Sequence, residues 1–106
     1  MLFRSGLSAQ VSVKPTQLGV DLSMGDCAAH CLALAERAEA TGSVLWLDME
    51  DSSYVDRTLE LYATVKSRHA RAGVALQAYL RRTPADVQRL LPLSPVIRLE
   101  IGRAHV

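Results

Sequence analysis

The sequence is poor in the features that mark several protein classes. Its 106 residues include one tryptophan, one phenylalanine and two cysteines, and the formal net charge is only +1. This charge gives no basis for binding nucleic acid or an anionic membrane surface. No apolar stretch is long enough to span a bilayer, and residues 1–4 lack the apolar core of a signal peptide. The length leaves room for at most one small domain, and the hydrophobic fraction of 49% is ordinary for a packed α/β protein.

The two cysteines lie close together in a helical pattern. Cys27 and Cys31 are four residues apart, so both fall on one helix face, where disulfide geometry is poor. We therefore expect two buried thiols and a reducing, cytoplasmic location. His30 points to a different face, and the sequence predicts no metal site.

Four short aliphatic runs alternate with a period of two, which is typical of strands. They cover residues 11–14, 44–48, 74–77 and 96–99. One face of each strand is aliphatic: Val11, Val13, Leu45, Leu47, Val74, Leu76, Ile97 and Leu99. The other face carries Ser12, Trp46, Ala75 and Val96 and ends on four polar side chains: Lys14, Asp48, Gln77 and Arg98. Such a set adds nothing to the stability of a sheet, so it indicates a functional site.

Helix signals separate these runs. Ser23 is expected to cap a helix over residues 24–40. Ser52 or Ser53 should cap a second helix to about residue 70, with Ala72-Gly73 closing it. A third helix follows Thr83-Pro84-Ala85-Asp86, with Thr83 as its cap, and ends at the prolines near position 92.

The resulting order, βαβαβαβ, predicts parallel strands joined by right-handed crossovers. An open doubly wound sheet would be aliphatic on both faces, because helices cover both. Here one face carries small and polar side chains, which favours a partial (β/α)₈ TIM barrel of about four strands. Active sites of such barrels lie at the carboxyl ends of the strands, where the four polar residues fall.

Five blocks of the sequence resemble the proline dehydrogenase family, in its order and at its spacing. They are VSVKPTQLG from residue 11, LDMEDS from residue 47, TLELY from residue 58, LQAYLRRT from residue 76 and IRL from residue 97. The resemblance implies a barrel that holds FAD, oxidises L-proline to 1-pyrroline-5-carboxylate and passes electrons to a quinone.

The resemblance also implies a role for each polar strand end. Lys14 would be a catalytic residue near proline and the flavin, and Asp48 would be catalytic and pair with Lys14. Gln77 would bind the isoalloxazine ring of FAD, and Arg98 would lie beside its redox-active nitrogen. A guanidinium suits charge developing on a flavin, and an amide suits its alternating donor and acceptor edge.

Simpler interpretations stand beside these roles. Lys14 could be a solvated strand end, Asp48 a turn cap, and Gln77 and Arg98 ordinary polar termini. Trp46 is expected to fill the barrel core, and Glu50 and Asp51 to favour the start of the next helix. The adjacent arginines at positions 81 and 82 resemble the family's proline-binding pair, but they fall in a different block and receive no such role.

Two further function classes remain open on the residues alone. One is a Schiff-base lyase or aldolase-like barrel that uses Lys14, and the other is a non-enzymatic α/β interaction module. In the latter the polar strand ends would scatter in space.

The last residues depart from the family pattern. After Leu99 the segment 100–106, EIGRAHV, resembles a translated sequencing adapter, so we expect residues 1–99 to form the barrel part and residues 100–106 to be an artefact. We expect the chain to cover the second to fifth strands. Such an arc leaves both outer edges unpaired, and we predict that it does not turn over proline by itself.

Overall fold

The computed structural model describes residues 10–78 and 80–101. Within them, four strands alternate with three α-helices. The strands are β1 (Gln10–Val13), β2 (Val44–Leu47), β3 (Ala72–Gln77) and β4 (Val96–Glu100), and the helices are α1 (Met24–Ala40), α2 (Val55–Lys66) and α3 (Thr83–Leu90). Short 3₁₀ turns at Pro15–Leu18, Ser52–Tyr54 and Leu91–Leu93 connect them. The predicted order βαβαβαβ is confirmed.

All strand pairs are parallel, and the strands lie in the order β1-β2-β3-β4. Neighbours in sequence are therefore neighbours in the sheet. With right-handed crossovers, this order sends every connecting helix to the same side, whereas a doubly wound sheet would reverse direction. The fold is thus an α/β arc of four strands, as found in part of a (β/α)₈ barrel.

The aliphatic side of this sheet, called here the helix face, carries the hydrophobic core. Leu45, Leu47, Val74 and Leu76 are at most 2% exposed and belong to one cluster with residues of all three helices. Cys27 and Cys31 lie in the same cluster as free, fully buried thiols, as predicted. The opposite side, called here the open face, carries Ser12, Trp46, Ala75 and Arg98.

Tyr62 of α2 joins two strands at their amino ends. Its buried hydroxyl donates to the carbonyl of Ala72 at 2.9 Å and accepts from the amide of Val96 at 3.1 Å. The phenol thus bridges the first residue of β3 and the first residue of β4. Burial raises its pKa, which keeps the hydroxyl protonated and able to donate.

Local signals predicted α1 well. Ser23 caps it, because its hydroxyl accepts the amide of Asp26 at 3.1 Å, and the helix spans the predicted residues. Its carboxyl end turns at Thr41 into Gly42, whose φ of 70° lies in the left-handed region that glycine tolerates.

Other boundaries differ from the prediction. Thr83 is the first residue of α3 rather than its cap, because its hydroxyl donates to the carbonyl of Gln77 at 2.6 Å. Ala72 and Gly73 do not close α2 but start β3. The second helix begins as the 3₁₀ turn at Ser52–Tyr54, where Asp51 caps the amide of Ser53 at 2.9 Å.

Strand β4 includes Glu100, which pairs with Gln77 in the sheet. The backbone carbonyl of Glu100 accepts a hydrogen bond from the amide of Ala78 at 2.9 Å. The proposed division between residues 1–99 and an artefactual segment 100–106 stays a prediction. Residues 102–106 lie outside the described residues, as do residues 1–9.

Candidate functional site

The strand register brings three of the four predicted site residues to one level. Val13 pairs with Leu47, and the ladder continues through the bond from the amide of Asp48 to the carbonyl of Val13, at 2.9 Å. Lys14 follows Val13 with extended backbone (φ −102°, ψ 134°). On the far side of β3, Arg98 pairs with Ala75, one residue beyond the Leu47–Val74 pair.

Asp48 and Arg98 meet directly across β3. Nη2 of Arg98 donates to Oδ1 of Asp48 at 2.8 Å, and the side chains are 40% and 23% exposed, respectively. Their strands are not neighbours, so the contact passes over the open face of β3. Only the methyl group of Ala75, which is fully buried, lies there. The small residue at this position therefore allows the pair to form.

Lys14 does not take part in this ion pair. The sequence predicted a pair between Lys14 and Asp48, but in the part of the chain that the structure describes, Arg98 is the salt-bridge partner of Asp48. Lys14 lies exposed at the end of β1.

Gln77 ends β3 two residues beyond Ala75, on the same open face. Its Nε2 donates to the carbonyl of Glu50 at 2.9 Å. One amide hydrogen is thus used to fix the side chain, which leaves the second hydrogen and Oε1 for other partners. The predicted donor and acceptor at this strand end are therefore present.

Glu50 has a role that the sequence did not predict. Instead of serving the next helix, its carboxylate receives the backbone amide of Thr16 at 3.1 Å and the Thr16 hydroxyl at 2.7 Å. Since its carbonyl also accepts from the side chain of Gln77, Glu50, which follows β2, connects the segment after β1 to the last residue of β3. In the sequence, this role of Glu50 is signalled only by the position of its carboxylate, two residues after Asp48.

Arg82 shows what a structural arginine looks like in this protein. Its Nε and Nη2 bind both oxygens of Asp86, at 2.7 Å and 3.0 Å, and Nη2 also binds Asp56 at 2.6 Å. These contacts, to Asp86 first, raise the pKa of Arg82, and the same guanidinium lowers the pKa of Asp56. Arg82 therefore links α2 to α3 through Asp56 and Asp86.

Among the described residues, no group of three or more histidine, cysteine or acidic side chains is arranged to hold a metal ion. None of the described helices is both long and apolar enough to cross a membrane.

Comparison with known proteins decides the family. The family model described as proline dehydrogenase matches residues 4–98 of this chain. The chain belongs to the proline dehydrogenase family. It is 33% identical over 96 residues to proline dehydrogenase 1 of Bacillus subtilis (strain 168) and 32% identical over 96 residues to proline dehydrogenase 2 of the same strain. A proline dehydrogenase of Deinococcus radiodurans is 31% identical over 107 aligned positions.

These alignments cover 91% or 92% of this chain but only 32% or 33% of each relative. The chain thus spans about a third of the length of the curated proline dehydrogenases that it matches. The match includes β1, β2, β3 and the beginning of β4 up to Arg98, and therefore all four predicted site residues.

Proposed function

We propose that this chain supplies one side of the active site of an FAD-dependent proline dehydrogenase. The reaction removes two hydrogens, with two electrons, from L-proline and leaves 1-pyrroline-5-carboxylate. A quinone is the proposed final acceptor. The observation that carries the proposal is the Asp48–Arg98 pair, which holds a guanidinium on the open face, at the strand ends where barrel enzymes bind substrates.

The polar groups at this edge fit a flavin. Arg98 uses Nη2 for Asp48, and the described residues occupy none of its other guanidinium hydrogens. Gln77 offers an acceptor and a second amide hydrogen from a fixed position. A cation next to an amide is the donor set expected for the polar edge of an isoalloxazine ring. Gln77 and Arg98 are therefore the proposed FAD-binding residues.

When bound, the flavin supplies the acceptor for the two electrons. Arg98 then places a delocalised positive charge where negative charge develops, and Asp48 keeps the guanidinium in one orientation. Because the pair is formed before substrate arrives, little reorganisation is needed during the reaction. The proposed role of Asp48 in catalysis is therefore an indirect one, through Arg98, and the hydrogen bond between them supports it.

Lys14 is the proposed substrate-binding residue. It lies at the level of Asp48 but outside the ion pair, and it is exposed. Its ammonium is therefore available to attract the carboxylate of proline, a contact that needs charge but no fixed planar geometry. Cytoplasmic location is also proposed, and the free thiols of Cys27 and Cys31 support it.

The activity is tested in a hybrid enzyme. Residues 4–98 of this chain replace the matching segment of B. subtilis proline dehydrogenase 1, and proline-dependent dye reduction and bound flavin are measured. We expect activity, and we expect Arg98→Met to lower kcat by about 10²-fold, the scale found for removing one electrostatic donor from an active site. Lys14→Met should mainly raise KM for proline.

Arg68→Met is the matched control, because Arg68 is exposed and follows α2, away from this edge. A hybrid that folds and binds flavin but loses nothing on Arg98→Met would refute the assignment. Trapping of Lys14 by borohydride with a carbonyl substrate would instead support the Schiff-base class. The 106-residue chain alone should show no proline-dependent dye reduction, because among the described residues both outer strands of the sheet have one partner only.

A further inference from the structure

The single tryptophan of the chain lies on the open face, beneath the candidate site. Trp46 is 9% exposed and pairs in register with Ser12 on one side and Gly73 on the other. It does not belong to the cluster that fills the helix face. The indole is therefore buried by its neighbours on the open face and not by the helices.

Gly73 makes room for the indole. A Cβ atom added at this glycine would lie 2.5 Å from both Cε3 and Cζ3 of Trp46, far inside van der Waals contact. The ring thus lies directly on the backbone of β3. Any other residue at position 73 would push the indole away from the sheet.

A hydrogen bond fixes the rotation of the ring. Nε1 of Trp46 donates to Oε1 of Gln10 on β1 at 2.8 Å. The indole therefore spans three strands: it is anchored on β1, belongs to β2 and covers β3. A side chain that only filled space would need neither this donor contact nor a glycine beneath it.

Arg98 of β4 also lies over this ring. Its guanidinium carbon is 4.9 Å from the ring centre of Trp46, within the range of a cation–π contact. The same guanidinium donates to Asp48. Nη2 also lies 3.9 Å from Oε2 of Glu100, a longer ion-pair contact. A partly exposed arginine held only by such contacts retains rotamer freedom, whereas a ring beneath the guanidinium restricts it further.

We propose that Trp46, seated on Gly73 and anchored by Gln10, is a positioning residue that holds the Arg98 guanidinium flat on the ring and turned toward Asp48. The importance of this position for catalysis rests on the function proposed above. The geometric claim does not, because it concerns only the residues of this chain. Trp46 acts through Arg98, and it is not a ring that stacks on the cofactor.

The test uses nuclear magnetic resonance of the arginine side chains in the 106-residue chain. The Nε–H and Cδ–H signals of Arg98, identified by their loss in Arg98→Lys, should be shifted upfield by the ring. Trp46→Leu should abolish this shift, whereas Trp46→Phe should retain part of it. The signals of Arg71, which donates to the carbonyl of Gly42, should not change in any variant.

Two further variants leave the indole in the chain. Gly73→Ala should displace the ring and remove the Arg98 shift, although Trp46 is still present. Arg98→Met should shift the emission of the single tryptophan to longer wavelength, because the ring loses its cover. If the wild-type chain shows no ring shift on Arg98, or if Trp46→Leu leaves that shift unchanged, the proposal is wrong.

The hybrid enzyme separates this proposal from the proposed function. There, Trp46→Leu should lower kcat by about tenfold, as expected for one lost cation–π contact, with a smaller change in KM. A ring-shifted Arg98 in an enzyme without flavin or activity would refute the proposed function alone. An active hybrid with an Arg98 signal that ignores Trp46 would refute the positioning role alone.

Discussion

The two faces of the four-stranded sheet use the same strands for different purposes. The helix face carries Leu45, Leu47, Val74 and Leu76, all almost completely buried against the helices. The open face carries one large ring, that of Trp46, and the charged pair of Asp48 and Arg98. Between them β3 contributes two very small residues, Gly73 and Ala75. The first face stabilises the fold through area removed from water, whereas the second holds a charge in a defined place.

The two well-contacted arginines differ in the same way. Arg82, on the helix side, makes three hydrogen bonds to two aspartates through its Nε and Nη2. Arg98, on the open face, has one short carboxylate contact at 2.8 Å and a ring beneath it. The guanidinium with three short carboxylate contacts joins elements of the fold, and the one with a single short contact that is held in place can bind a ligand. Contacts therefore separate the two roles better than the residue type does.

The largest effect is expected on the helix face. Leu45→Ala removes a side chain that is 1% exposed and should lower the free energy of unfolding by about 2–5 kcal/mol, through lost burial and the cavity left behind. Urea unfolding followed by circular dichroism measures it. Ser12→Ala, on the exposed side of neighbouring β1, is the control and should stay within about 0.5 kcal/mol. Equal losses from both changes would contradict the division into two faces.

A smaller loss of stability with a specific effect on the site is expected at Ala75. Ala75→Leu places a branched side chain between Asp48 and Arg98 and should cost about 1–3 kcal/mol by overpacking. The hybrid enzyme should lose flavin affinity in proportion to the broken pair, as a flavin titration would show. Ala85→Leu, the same change at an exposed position of α3, should leave flavin affinity unchanged. If both variants bind flavin normally, the pair does not shape the site.

The buried thiol of Cys31, in the core on the helix face, should make the free energy of unfolding depend on pH in the alkaline range. Burial, followed by the influence of Cys27, raises the pKa of Cys31 from 9.0 to about 12. Below pH 9 both folded and unfolded chains keep the proton. Between pH 9 and 12 only the unfolded chain loses it, so the free energy of unfolding should fall by about 1.4 kcal/mol per pH unit. The unfolding free energy of Cys31→Ala should decline less steeply over this window, and identical slopes would exclude the effect.

Local sequence signals predicted much of the fold correctly. The period of two placed each strand within two residues, and Ser23 together with the helical spacing of small residues placed α1. The start of β3 was missed. Ala72-Gly73 has the pattern of a helix end, and nothing local shows that Trp46 needs a glycine beneath it. The start of α3 was misplaced by one position because the Thr83 hydroxyl bonds to Gln77 instead.

The sequence predicted only part of the candidate site, because contacts between residues far apart in the chain leave no local signal. Strand parity alone put Asp48 and Arg98 on one face at one end of the sheet, and the structure brings them together. Parity could not say which cation Asp48 would bind. The observed pair crosses β3 at Ala75, a residue that gives no signal of this contact in the sequence. The role of Glu50 was missed because its partners, Thr16 and Gln77, are 34 and 27 residues away.

Periodicity and local capping were enough to predict the alternation of strands and helices, the aliphatic face and the residues at the strand ends. Packing between distant segments settled which of those residues touch: Arg98 rather than Lys14 on Asp48, Trp46 on Gly73, and Glu50 on Thr16 and Gln77. Such contacts depend on the space between strands that are distant in the chain, and that space is set by the smallest side chains of β3.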